Sequence, residues 1–110
     1  MDSTAAVDVH TRTDGTVVVQ LHGVIDIDST VQLHQTLVHL VRRIRPLRLV
    51  IELGSVSALD PLHCGAIAAL TDLADDHHVA IFIENPPPAA EAGLLAAGID
   101  RHRIRQPAKV

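Results

Sequence analysis

The chain has 110 residues, a length that suits one domain with a single core. Its hydrophobic fraction is 47 % and almost wholly aliphatic, with one Phe and no Tyr or Trp, which argues against stacking platforms for single-stranded nucleic acid and against an aromatic-lined ligand pocket. Lys plus Arg number 9 and Asp plus Glu 13, for a net charge of -4, the wrong sign for general nucleic-acid binding.

Residues 1–6 read as a tail. Val7–Thr13 alternates in the period of a strand, Asp14-Gly15 is a hairpin turn signal, and the β-branched run Thr16–Val24 is the return strand. Asp28-Ser29-Thr30 offers N-cap residues. The period then lengthens: Val31, Leu37, Val38, Leu40, Val41 and Ile44 recur near helical spacing. Arg42, Arg43 and Arg45 complement the helix dipole at its end, and Pro46 stops it. Leu47–Leu53 reads as a buried central strand and Gly54–Leu59 as a loop. Asp60-Pro61 opens a second helix, with Asp60 as N-cap and Pro61 at the first helical position. Ala66, Ile67, Ala69, Leu70, Leu73 and Ala74 form its apolar side, with Asp72, Asp75 and Asp76 towards water. Val79–Glu84 is another buried strand, and Asn85–Pro88 breaks the chain. Ala89–Ala97 is a helix ended by Gly98, and Arg103-Ile104 adds a short edge strand. The expectation is one α/β domain over residues 7–105, in the order β-β-α-β-α-β-α with an optional last strand. A mixed sheet of four to five strands carries three to four helices, and residues 106–110 form a second tail.

The residues that could carry chemistry have simpler explanations. Asp26 and Asp28 could meet Asp60 at one end of the sheet as paired carboxylates, for acid–base work or a cation. Capping and loop formation explain the same residues. The eight histidines include the adjacent His77-His78, and His34 and His39 on one helix. None has the i, i+4 spacing of a helical metal pair, so no metal site and no cofactor are expected. Ser29, Ser55 and Ser57 lack a nucleophile elbow. Cys64, the sole cysteine, falls on a buried side early in a helix and reads as an inert core thiol. No nucleotide motif is present, so no catalytic residues are assigned. The basic clusters Arg42–Arg48 and Arg101–Arg105 read as solvated element ends. Met1–Ala6 has no leader pattern, and no apolar run reaches the ~20 residues of a membrane span. A cytoplasmic protein with no membrane insertion is expected.

Three segments in order resemble the STAS family, the sulfate-transporter and anti-sigma-factor-antagonist domain. Leu21-His22-Gly23-Val24-Ile25-Asp26 is similar to the family's strand ending in Gly-Glu-Leu/Ile-Asp. Leu49–Leu53 with Val56-Ser57-Ala58-Leu59-Asp60 is similar to its strand and loop ending in Phe-Met/Leu-Asp. Gly65 resembles the second Gly of Asp-Ser-Ser-Gly-Leu-Gly. The resemblance implies a STAS-like fold and a non-catalytic domain that docks on an anti-sigma factor or related kinase-like protein to regulate transcription by partner switching. It implies docking through Asp26, Asp28, Ser29, Thr30, Asp60, Pro61, Leu62 and His63. The family's phosphoacceptor follows the Asp, and here that position is Pro61, which has no oxygen to modify and no backbone N–H. Phosphorylation is therefore not expected there. The alternative is a small-ligand or anion-sensing STAS module beside a transporter or in a sensory assembly. A homodimer remains open. Leu62 and His63 are expected on the outer side of the second helix. For Leu62 two readings stand: an exposed apolar anchor rimmed by Asp26, Asp28 and Asp60, or a residue turned into the core.

Overall fold

A computed structural model describes residues 6–24, 27–59 and 61–106. The two tails expected from the sequence lie largely outside the described residues, as do Asp26 and Asp60. Strand β1 (Ala6–Thr11) and strand β2 (Val17–Val24) form the expected antiparallel hairpin. Its turn is closed by the Gly15 N–H donating to the Arg12 carbonyl at 3.0 Å and by the Arg12 N–H donating to that of Thr16 at 2.8 Å. Gly15 sits at φ +90, a conformation that favours glycine. The Thr16 N–H also donates to Asp14 Oδ1 at 2.9 Å, so Asp14 organises the turn with its side chain.

Helix α1 (Ile27–His39) begins earlier than expected. Asp28, Ser29 and Thr30 therefore lie inside its first turn and not before it, a place where unpaired N–H groups and the dipole also favour acidic and hydroxyl residues. Its core stripe is Leu33, Leu37, Leu40 and Val41. Val31 is 51 % exposed and Ile44 55 % exposed, so neither belongs to that stripe. For Ile44 the cause is a π-helical turn over Leu40–Ile44, which adds a residue to the turn and rotates the end of the helix away from the core. Arg45 ends the turn in the left-handed region at φ 52, its N–H donating to the Leu40 carbonyl at 2.7 Å.

Strand β3 (Arg48–Ala58) runs through the segment expected to be a loop. Two features hold Gly54–Ala58 extended. The Gly54 N–H donates to Glu52 Oε1 at 2.9 Å, and β2 supplies partners as far as Val24↔Ala58, with two register irregularities. Helix α2 (Pro61–Asp76) starts at Pro61, as the proline predicts. It buries His63, Cys64, Ile67, Leu70, Thr71 and Ala74. Ala69, expected on this side, is exposed, because the spacing that joins residues 63, 67, 70 and 74 leaves position 69 opposite. The helix ends with the Val79 N–H on the Ala74 carbonyl and the His78 N–H on that of Asp75, with His78 left-handed at φ 62.

Strand β4 (Ala80–Glu84), helix α3 (Pro88–Ala96), a 3₁₀ turn at Arg101–Arg103 and the two-residue strand β5 (Ile104–Arg105) complete the described chain. Gly98 at φ +104 closes α3, with the Ile99 N–H on the Leu94 carbonyl. The strands lie in the order β1-β2-β3-β4-β5, with β2 to β5 parallel. Each crossover steps the same way along the sheet, so right-handed connections put all three helices on one face. One apolar cluster on that face joins Val19, Leu21, Ile51, Leu53, Ile81 and Ile83 to Leu37, Ile67 and Leu94. The other face carries side chains but, among the described residues, no helix.

Candidate functional site

The start of α2 comes directly after the C-terminal end of the central strand β3, the place where α/β sheets commonly present functional residues. Pro61 is exposed and Leu62 is 69 % exposed. Leu62, Gly65, Ala69 and Asp72 are all exposed and share one helical face. The residue after Leu62 behaves differently. His63 was expected on the outer side, but it is 4 % exposed and faces the core. His63 lies four residues before Ile67 and seven before Leu70, so it shares their buried stripe, while Leu62, about 100° round the helix, stays outside it. Cys64 is 1 % exposed, in the core as expected.

The backbone of Asp28, Ser29 and Thr30 is in the first turn of α1; their side chains, like Asp26 and Asp60, lie outside the described residues. The meeting of Asp26 and Asp28 with Asp60 therefore falls outside them too. Position 62 is the one placed by the structure as an exposed apolar residue beside Pro61.

A second polar constellation was not singled out in the sequence. On the helix-free face, Arg12 donates from both terminal nitrogens to Glu84, at 2.7 and 3.2 Å. The Glu84 side chain is 8 % exposed and that of Arg12 41 %. The hydrogen bond to Glu84 holds the Arg12 guanidinium above its ordinary pKa, burial opposing it. Asn85 Nδ2 donates to Glu52 Oε2 at 2.9 Å. These groups, with His10, Val18 and Gln20, line a shallow cavity of about 410 Å³. Glu52 and Glu84 are register partners on neighbouring strands. The signal in the sequence was a carboxylate near the end of each apolar strand, in LRLVIEL and VAIFIE, at the same depth. Their oxygens accept hydrogen bonds from Arg12, Asn85 and the Gly54 N–H, so the constellation ties the hairpin to β3 and β4 across the sheet.

A family model described as Mlab, STAS domain, matches residues 9–106. The chain belongs to the STAS domain family. Solved structures of similar fold include a substituted RsbS from Moorella thermoacetica, with TM-score 0.74 and 20 % identity, covering 91 % of this chain and 84 % of that one. They also include the anti-sigma factor antagonist SpoIIAA in its unphosphorylated form, with TM-score 0.69, 17 % identity and 79 % of each chain covered. The Bacillus cell fate determinant SpoIIAA in the phosphorylated form gives TM-score 0.72 and 17 % identity over 84 % of each chain. A search of curated proteins returns no match. In this STAS domain no helix among the described residues is long and apolar enough to cross a membrane.

Proposed function

We propose that this STAS domain is a non-catalytic, cytoplasmic interaction module that docks on an anti-sigma factor or a related kinase-like protein and so regulates transcription. The observation that carries the reading is Leu62, an aliphatic side chain 69 % exposed in the first turn of α2. A lone exposed Leu is ordinary. Here it follows Pro61, on a helix rigidly packed against the sheet, at the helix start that the family resemblance makes the docking end. An apolar centre inside a polar rim is the layout of an interface anchor. Asp26, Asp28, Ser29, Thr30, Asp60 and Pro61 form the rest of the proposed surface. Its size is the standard one of about 800 Å² per partner. Pro61 at the phosphoacceptor position makes docking independent of phosphorylation there.

The test is Leu62→Asp, assayed by titration against the cognate anti-sigma factor and by thermal melting. Binding should weaken by at least about 2 kcal/mol, the loss typical of an anchor. Stability should stay within about 0.5 kcal/mol, as at other exposed positions. Undiminished binding moves the docking surface away from α2.

A further inference from the structure

The opposite end of the molecule carries a surface that docking at α2 leaves unexplained. From Ser29 to Ile51 the sequence contains no acidic residue, although the whole chain has a net charge of -4. That stretch holds Arg42, Arg43, Arg45 and Arg48, all exposed, with His34 and His39 on the exposed side of α1. Two large aliphatic side chains stand among the arginines: Ile44 is 55 % exposed and Leu47 85 % exposed. This tip joins the end of α1 to the start of β3.

The tip is held in place by its own hydrogen bonds. The Arg45 N–H donates to the Leu40 carbonyl at 2.7 Å, and Arg45 Nε donates to the Arg42 carbonyl at 3.1 Å. The Leu47 carbonyl accepts from the Ala80 N–H at 3.1 Å, which pins the tip to β4. Pro46 fixes φ between the two aliphatic residues. The π-helical turn directs Ile44 outward in the first place. Beside it His34, Gln35, Val38, His39, Arg42 and Arg43 line a shallow groove of about 330 Å³. A carboxylate approaches the cluster at its edge, where Asp14 lies 3.8 Å from Arg48, both groups half-exposed.

We propose that this tip is a peripheral contact with an anionic lipid bilayer. The arginines meet headgroup phosphates, and Ile44 and Leu47 enter the boundary between headgroups and acyl chains. The combination selects this occupant. Cationic side chains near an anionic leaflet attract it by about 1 kcal/mol each, roughly fivefold in partitioning. Exposed aliphatic residues gain nothing from a polyanion that lacks an apolar phase, but they gain from one that has it. Aliphatic side chains as exposed as Ile44 and Leu47 suit the deformable surface of a bilayer, which needs no matching pocket.

The experiment is co-sedimentation of the full chain with phosphatidylcholine vesicles, with and without about one third phosphatidylglycerol, at low and high salt. The expected result is binding to the anionic vesicles alone, reduced by salt. Arg42→Gln with Arg43→Gln should weaken it by about twenty-five-fold, at roughly fivefold per arginine. Ile44→Ser with Leu47→Ser should weaken it by at least about fivefold, while binding to heparin stays unchanged. Both pairs are exposed, and circular dichroism of each variant should match the parent. Failure to bind anionic vesicles overturns the proposal. So does vesicle binding indifferent to Ile44→Ser and Leu47→Ser, because the surface would then be a general polyanion site. Binding to an acidic peptide without binding to vesicles overturns it in favour of an acidic protein partner.

Discussion

Removing Arg12 should expose how much of the fold depends on the pair that crosses the helix-free face. β2 and β3 lie between β1 and β4, so the contact of Arg12 with Glu84 passes over both. Val18 and Val50 do not belong to the helix-side cluster, yet they are 1 % and 3 % exposed; side chains of this face cover them. Arg12→Ala would leave the Glu84 carboxylate, 8 % exposed, without its guanidinium. Stranding a fully buried charge costs about 3–5 kcal/mol, while breaking an exposed pair costs about 0–1 kcal/mol. With one partner buried and the other 41 % exposed, the expected loss is about 2 kcal/mol. Urea unfolding measures it as a lower midpoint at unchanged slope. Glu84→Leu in the Arg12→Ala background removes the stranded carboxylate, so the double variant should be more stable than additivity of the single changes allows, by at least about 1 kcal/mol. A loss under about 0.5 kcal/mol for Arg12→Ala, or strict additivity, would refute the reasoning and reduce the pair to an ordinary surface contact.

Asp14 offers a test by pH. Its hydrogen bonds from Thr16, the backbone N–H first, hold its carboxyl below the usual carboxylate range. A folded-state pKa below the unfolded one contributes stability that is present above the unfolded value and lost as pH falls through the folded one. Asp14→Ala should therefore lower the melting temperature at neutral pH and shrink the difference from the parent in acid; an equal difference at both pH values contradicts it. At the contact of α2 with α3, a Cβ on Gly93 would lie 2.8 Å from Cys64 Sγ. Gly93→Ala should cost about 1–3 kcal/mol by overpacking, and adding Cys64→Ala should recover part of that in chemical unfolding.

The order of elements was legible because each segment carries its own period: alternation in Val7–Thr13, helical spacing after Thr30, and short aliphatic runs at β3 and β4. The features that stayed hidden depended on contacts distant in sequence or on a change of helix geometry. Gly54, Ser55 and Ser57 have the composition of a loop, and only the β2 edge and the Glu52 carboxylate make them strand. Ile44 fits an α-helical stripe, and only the π-helical turn removes it from the core. The resemblance to the family's docking helix start puts His63 outside beside Leu62, whereas its spacing from Ile67 and Leu70 puts it on the buried side, where the structure has it. Of the candidate docking residues, Pro61 and Leu62 are found exposed at the start of α2. The Arg12–Glu84 contact joins residues 72 apart in sequence, and no local pattern announces such a pair.

The two proposed surfaces sit at opposite ends of the same strand. β3 has 11 residues, and at about 3.3 Å per residue it separates Arg48 from the start of α2 by roughly 30 Å, close to the full 32 Å extent of the domain. An interface of about 800 Å² occupies a small part of the 6088 Å² of accessible surface. A protein seated around Leu62 therefore leaves Ile44, Leu47 and the arginines free to touch a bilayer. The two contacts share no side chain, so the loss of one by substitution says nothing against the other. A STAS domain built this way would hold its partner at a membrane without any change in its own fold, since the helix that carries Leu62 is packed on the sheet and the arginine tip is held by its own hydrogen bonds.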